Sequence, residues 1–244
     1  LQNIALLRGT NVSVIFEPNS DMALSASRRV PNAMLAASFE DLLDFPNLDC
    51  LVITSPNYCH LEQMLRIAQK RPLPLLVEKP LFTLPEDQTA ILEFIKTYPS
   101  PVWVAMEYRY MPPVKAFTEK VDSVTGGVKM LTIREHRFPF LNKIGDWNRF
   151  NDKTGGTFVE KCCHFFDLMR LIIKSEPVRI MASAGQDANH LNERYEGRVP
   201  DILDNGYVIV DFANGARAML ELCMFAEGAE YQEEISAVGP KGKL

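Results

Sequence analysis

Glu160, His164 and Asp167 stand at i, i+4 and i+7 in the stretch Gly155-Gly156-Thr157-Phe158-Val159-Glu160-Lys161-Cys162-Cys163-His164-Phe165-Phe166-Asp167. If the helix that follows the two glycines runs on unbroken to Ile173, all three side chains share one stripe. A carboxylate within reach of an imidazole on a stiff element can tune a general base, hold a substrate hydroxyl or bind a metal. An ordinary exposed helix shows the same spacing, so the rest of the chain has to supply a partner. Lys161, on the next stripe, reads as solvated.

A partner exists at the end of an apolar run. Leu73-Pro74-Leu75-Leu76-Val77 reads as a strand that stops at Glu78-Lys79-Pro80. A charged pair at a strand end needs a counter-group, and a partly desolvated lysine can be tuned toward proton transfer, with a plain salt bridge as the alternative. Earlier in the chain, Ser55-Pro56-Asn57-Tyr58-Cys59-His60 follows another apolar strand, residues 49–54. Ser55 or Asn57 there would cap a helix, and the backbone amides would face a ligand. Glu17 ends a strand at 11–16 and is the acid that a dinucleotide fold needs for both hydroxyls of an adenosine ribose. Because it would repel a 2′-phosphate, it favours NAD over NADP.

The elements that must carry these groups alternate. Strands at 11–16, 49–54, 73–77 and 102–106 are interleaved with helices at 22–29, 39–43, His60–Lys70 and 86–98, the last opened by a capping box at Thr83-Leu84-Pro85-Glu86. Such alternation with short loops predicts a parallel sheet with helices on its faces, and ligands beyond the carboxyl ends of the strands. Residues 1–8 look like the last turns of a helix stopped by Gly9. After Arg109 the pattern changes to strands at 128–138, 178–184, 207–212, 217–225 and 235–238. Asn214-Gly215 marks one hairpin turn, and residues 194–204 form a polar loop. Long strands with one helix predict a large, mainly antiparallel sheet packed on that helix. The expected fold class is therefore α/β: a Rossmann-type parallel sheet over residues 1–108, then an α+β domain over 109–244.

Composition limits the partners. The 244 residues are 47% hydrophobic and 23% charged, with a formal net charge of −5. Lys and Arg are scattered, which argues against nucleic acid or an anionic membrane as partner. No apolar run reaches the roughly eighteen residues a bilayer span requires. Five cysteines in no disulfide-like spacing read as mostly buried small side chains in a reducing, cytoplasmic setting.

Taken together, Ser55-Pro56 to His60, Glu78-Lys79-Pro80 and the Gly155-Gly156 helix with Glu160, His164 and Asp167 resemble the Gfo/Idh/MocA oxidoreductases in order and spacing over nearly the whole chain. The resemblance implies NAD(P)-linked oxidation or reduction of a secondary hydroxyl on a sugar, cyclitol or related polyol, and a homo-oligomer formed through the open C-terminal sheet. It implies Lys79, His164 and Glu160 as catalytic residues, with Arg109 joining them at the substrate. It also implies cofactor contacts from Glu17, Ser55, Pro56, Asn57, His60, Glu78, Lys79, Trp147 and Arg149, and the loops at 138–150 and 190–204 as the selectors of substrate. Glu160 replaces the aspartate of many members. Cys162 stands where glycine is common, implying a helix crowded against the nicotinamide.

The glycine-rich phosphate loop would lie roughly 20 residues before Glu17, upstream of Leu1, so the expectation is a chain truncated at both ends. Two other readings stay open. One is a metal-dependent enzyme using Glu160, His164 and Asp167 with His136. The other is a non-catalytic binding or oligomerisation protein.

Overall fold

The structure is a computed structural model and describes residues 2–244. Leu1, part of the expected first helix, lies outside the described residues. In chain order the first elements are α1 (Gln2–Leu6), β1 (Val14–Ile15), α2 (Ser20–Arg29), β2 (Met34–Leu35), α3 (Phe39–Asp44), β3 (Leu51–Ile53), α4 (His60–Lys70), β4 (Leu75–Val77), α5 (Gln88–Thr97) and β5 (Val102–Val104). Then come α6 (Pro112–Thr125), β6 (Met130–His136), α7 (Asn151–Thr154), α8 (Thr157–Glu160), α9 (Cys163–Ile173), β7 (Pro177–Gly185), β8 (Asn205–Phe212), β9 (Arg217–Cys223), β10 (Glu233–Gly239) and β11 (Gly242–Lys243).

Two compact units result. The first gathers the residues up to 53 with 62–76 and 93–103; the second gathers 54–61, 77–92 and 104–244. The first unit carries the Rossmann-like alternation. Strands β1 and β2 pair in parallel, and β3, β4 and β5 follow one another in a separate sheet. Its helices start where short polar side chains take the orphan amides. The Asn19 side chain accepts from the Met22 N–H, and Ser38 Oγ accepts from Asp41 N at 3.0 Å. The expected capping box at Thr83 does not form. A 3-10 turn over Pro85–Asp87 comes first, preceded by Leu84 without a side-chain cap, and Thr83 is buried. Proline at the first turn needs no donor of its own, which removes one of the amides Thr83 would have served.

The second unit is built on a six-stranded sheet in the order β11-β10-β6-β9-β8-β7. All its pairs are antiparallel except β6 with β9. The β8–β9 hairpin turns at Asn214-Gly215, where Gly215 has φ 81° and Phe212 N donates to Ala216 O. One face of the sheet presents Leu131, Ile133, Val208, Val210 and Leu220 to a core shared with Phe165, Leu168, Met169, Ile172 and Ile173 of α9. That i, i+3, i+4 spacing on α9 contributes about 1.5–3 kcal/mol for each fully buried side chain. A second long helix, α6, was not legible as periodicity. It begins at a proline pair, ends on Gly126 in the left-handed region, and buries Val114 and Val121 in the same core. The opposite face of the sheet leaves Met130, Tyr207 and Ile209 exposed, and the edge strand β7 exposes Val178 and Ile180.

Candidate active site

Apart from Glu17, every side chain singled out from the sequence lies in the second unit, because residues 54–61 and 77–92 fold with it. Glu17 is in the first unit. Its Oε1 accepts from Asn19 N at 2.9 Å, so the carboxylate already shapes the turn into α2.

The glycine pair has a steric reason. At Gly155 (φ 80°) an added Cβ would lie 2.8 Å from a Val159 methyl and 2.9 Å from the Thr83 carbonyl. Gly156 (φ 83°) is similarly closed by Asn151 Oδ1 at 2.7 Å. The backbone can approach the 77–92 segment this closely only without side chains.

Helix 157–173 is not continuous. Helix α8 ends at Glu160, Lys161 and Cys162 form a turn, and α9 restarts at Cys163. The stripe expected of Glu160, His164 and Asp167 is therefore broken. Phe165 and Phe166 both take the Cys162 carbonyl, and the Glu160 carbonyl is left without a helical amide. Lys79 Nζ donates to that carbonyl at 2.7 Å. Two further expectations change with the break. Lys161 is not solvated but 7% exposed, and Cys162 is directed into the hydrophobic core.

His164 is 2% exposed and lies flat on Tyr108, ring centres 4.5 Å apart and planes 8° from parallel. Its Nε2 is 3.4 Å from Glu107 Oε1, and its Nδ1 has no hydrogen-bond partner. Burial, and then the positive charges of Lys79 and Lys161, push its pKa down to about 3, so the ring is neutral at any working pH. Glu160 is buried, with Oε2 unpartnered. Burial raises its pKa against the opposing pull of Lys79, Lys143, Arg149 and Arg137. Asn57 is also buried, with Nδ2 unpartnered. An acceptor on His164, an acceptor on Glu160 and an amide donor on Asn57 thus await hydrogen bonds that the chain does not supply. Polar atoms in that state fit a polar ligand.

The remaining expected residues are placed as follows. His60, fully buried, sets its two ring nitrogens 2.7 Å from the Pro80 carbonyl and 2.8 Å from the Ser55 carbonyl, joining the two strand-end segments. Pro56 and Ser55 are half-buried beside Asn57. Glu78 Oε2 accepts from Lys79 N at 3.3 Å. Trp147 meets Tyr58 edge to face at 6.1 Å, and Lys153 Nζ lies over the Tyr58 ring. Arg149 is buried, with Nη2 donating to Asn142 Oδ1 at 2.5 Å and Nε 3.5 Å from Glu193 Oε2. Arg109 grips Asp167 with Nε and Nη2, each at 2.5 Å. His136 pairs with Glu221 at 2.9 Å. The four groups of the metal reading are therefore engaged separately, and no cluster of three or more metal-ligating side chains occurs among the described residues. The cysteines are less buried than expected. All five are free, Cys50 is exposed, and only Cys162 is fully inside.

Sequence reasoning missed Tyr108, Glu135 and Glu233. Lys161 Nζ is 3.0 Å from Glu135 Oε1 and donates to Tyr108 Oη at 2.6 Å, while Tyr108 donates to Glu233 Oε1 at 2.5 Å. Glu135 occupies a buried position in an alternating strand. Such a charge inside the pattern was the available signal.

Two family models match the chain. One describes the NAD-binding Rossmann fold of an oxidoreductase family over residues 2–106, and the other the C-terminal α/β domain of the same family over residues 120–244. The chain belongs to the Gfo/Idh/MocA oxidoreductase family. It is 24% identical to the oxidoreductase YrbE of Bacillus subtilis over 99% of its own length and 68% of that protein's. It is 31% identical to the inositol 2-dehydrogenase of Leifsonia xyli over 89% of its own length and 60% of that protein's. It thus spans about two thirds of the length of the relatives it matches. Its fold superposes on levoglucosan dehydrogenase in complex with NADH and levoglucosan with a TM-score of 0.82 and 22% identity, over 96% of this chain and 63% of that one. The family inferred from the three motifs is the family found, and the Rossmann-like unit followed by a large mixed sheet matches its solved members. No described helix is long and apolar enough to cross a membrane.

Proposed function

We propose that this chain carries the reaction centre of a nicotinamide-linked oxidoreductase acting on a secondary hydroxyl of a sugar, cyclitol or related polyol. The observation that carries this reading is the meeting of Lys79 with the broken helix turn at Glu160, beside a neutral buried His164. When bound, the nicotinamide supplies the hydride acceptor or donor. His164 takes or returns the hydroxyl proton. Lys79, held by the Glu160 carbonyl, supplies positive charge where an alkoxide develops. The Glu160 carboxylate accepts a hydrogen bond from a neighbouring hydroxyl. Asn57, Ser55, Pro56, Glu78 and Trp147 line the cofactor side, and His60 is the strut that keeps Ser55 and Pro80 in register. Arg109 acts at the substrate side through Asp167, and Arg149 ties down the loop that contains Glu193.

Glu17 supports NAD over NADP, since a strand-end carboxylate disfavours a 2′-phosphate. The division of labour falls near residue 108, in keeping with family models that end at 106 and begin at 120. The exposed apolar face carrying Met130, Tyr207 and Ile209 supports assembly with a second copy through the C-terminal sheet. Five free thiols suit a cytoplasmic setting.

The test combines an NADH fluorescence titration with turnover on a polyol and sugar panel. Lys79→Ala and His164→Ala are each expected to lower turnover by about 10²–10⁴-fold while NADH binding is kept. Wild-type turnover in both variants would refute the roles. No NADH signal at millimolar levels would overturn catalysis by this chain.

A further inference from the structure

His164 has an unusual restraint for a group that must present one edge to a proton donor. Its Nδ1 has no hydrogen bond, and Glu107, 3.4 Å from Nε2, is itself on an exposed side chain. Neither contact fixes the rotation of the ring. The face-to-face stack on Tyr108 does, provided that Tyr108 cannot itself turn.

Tyr108 is pinned at its far end. Its hydroxyl accepts from Lys161 Nζ at 2.6 Å and donates to Glu233 Oε1 at 2.5 Å. Lys161 is in turn set 3.0 Å from Glu135, with Nζ also 4.8 Å from the centre of the Tyr108 ring. The register explains why the ammonium sits there. Glu135 on β6 is directly opposite Glu233 on β10, and two like charges facing each other across strands repel. Lys161 lies between them, 3.0 Å from one and 3.8 Å from the other. The turn that interrupts the helix at 161–162 is what brings Lys161 inward.

Resting on the function proposed above, we propose that Tyr108, anchored by Lys161 and Glu233, is a positioning residue that fixes the plane of the His164 imidazole for proton transfer. The charged groups around that ring are Lys79, Lys161 and Glu107. None of them bonds it in a fixed orientation.

The experiment uses the full chain with isotope-labelled histidine, His164 being assigned by its loss in His164→Gln. Two readouts are followed, the His164 ring signals against pH and the pH profile of turnover. Tyr108→Leu removes the stack. The ring signals are expected to shift toward a free imidazole titrating at about 6.5, and kcat to fall about tenfold to a hundredfold with the KM for cofactor unchanged. Tyr108→Phe keeps the stack and loses both anchors, so intermediate effects on both readouts are expected. Wild-type ring titration and pH profile in Tyr108→Leu would overturn the proposal. Should that variant not fold, the same result in Tyr108→Phe overturns it. A wild-type chain that turns over no polyol defeats the proposed reaction alone, since the ring titration still reads the Tyr108 contact.

Discussion

Replacing Lys161 by Met keeps the apolar stem and removes the ammonium, which makes the Glu135 carboxylate the quantity under test. Glu135 is 0% exposed and the Lys161 side chain 9%, so solvent does little to screen their 3.0 Å contact. Breaking a buried pair from one side costs about 3–5 kcal/mol, because the remaining charge is stranded. Arg137 Nη1, 3.4 Å from Glu135 Oε1, stays as a second cation and places the expected loss near the lower end, about 3 kcal/mol. For a chain of this size that corresponds to about 6–12 °C in Tm. The assay is urea denaturation at pH 8, run on wild type, Lys161→Met, Glu135→Gln and the double variant. The double variant should recover more than half of the loss, since a neutral amide leaves no buried charge unpaired.

The pH dependence has a definite sign. Burial already raises the Glu135 pKa, with Lys161 and then Arg137 opposing it. Without Lys161 the folded value rises further above the unfolded one. The variant's deficit is therefore full at high pH and shrinks as pH falls through the folded pKa, where the carboxyl becomes neutral. A loss below about 0.5 kcal/mol, the range of an ordinary surface substitution, would mean that Lys161 is solvated after all and would refute the reasoning.

Asp204→Ala should loosen residues 186–204. The carboxylate accepts from Asp187 N at 3.0 Å, Ala188 N at 2.8 Å and Asn189 N at 2.7 Å. Hydrogen bonds to a charged group are worth about 1.5–3 kcal/mol, and a loss of that size is expected by urea denaturation. Burial tends to raise the Asp204 pKa, but those amides and Asn205 hold it below the ordinary value. The wild-type advantage is accordingly complete above about pH 4 and disappears as pH falls through the folded pKa; a pH-independent difference would contradict this. Tyr207→Arg with Ile209→Lys, on the exposed sheet face, should shift sedimentation toward a smaller species. An unchanged oligomeric state would remove that face from any interface.

Much of the fold was legible because its signals are local. The alternation of short apolar runs and amphipathic helices specified the Rossmann-like unit, and Ser38 marked a helix start that its side chain does cap. Asn214-Gly215 marked a hairpin, and the structure turns there with Gly215 at φ 81°. What failed depended on competition. Thr83 carries the letters of a cap, but Pro85 had removed an amide it would have served, and the side chain was buried instead. Helix α6 shows weak periodicity because only Val114, Val121 and Thr125 are buried along its 14 residues. Cys162 was assigned toward a cofactor on its family position, but the helix break turned it into the core.

That break is the point on which the site depends. In an unbroken helix the Glu160 carbonyl would accept the His164 amide, four residues on, and would have no capacity aimed at Lys79. Lys161 would continue along the outer side and leave Glu135 and Glu233 facing each other across β6 and β10 with no cation between them. Two consequences thus follow from one irregular turn. A backbone acceptor becomes free for the strand-end lysine, and a cation is delivered to an otherwise repulsive carboxylate pair, whose hydrogen-bonded Tyr108 supports His164. The sequence letters of the motif, a carboxylate and an imidazole four apart, are the same with or without the break. Their chemistry is not, because spacing along a helix fixes which side chains share a face only while the helix continues.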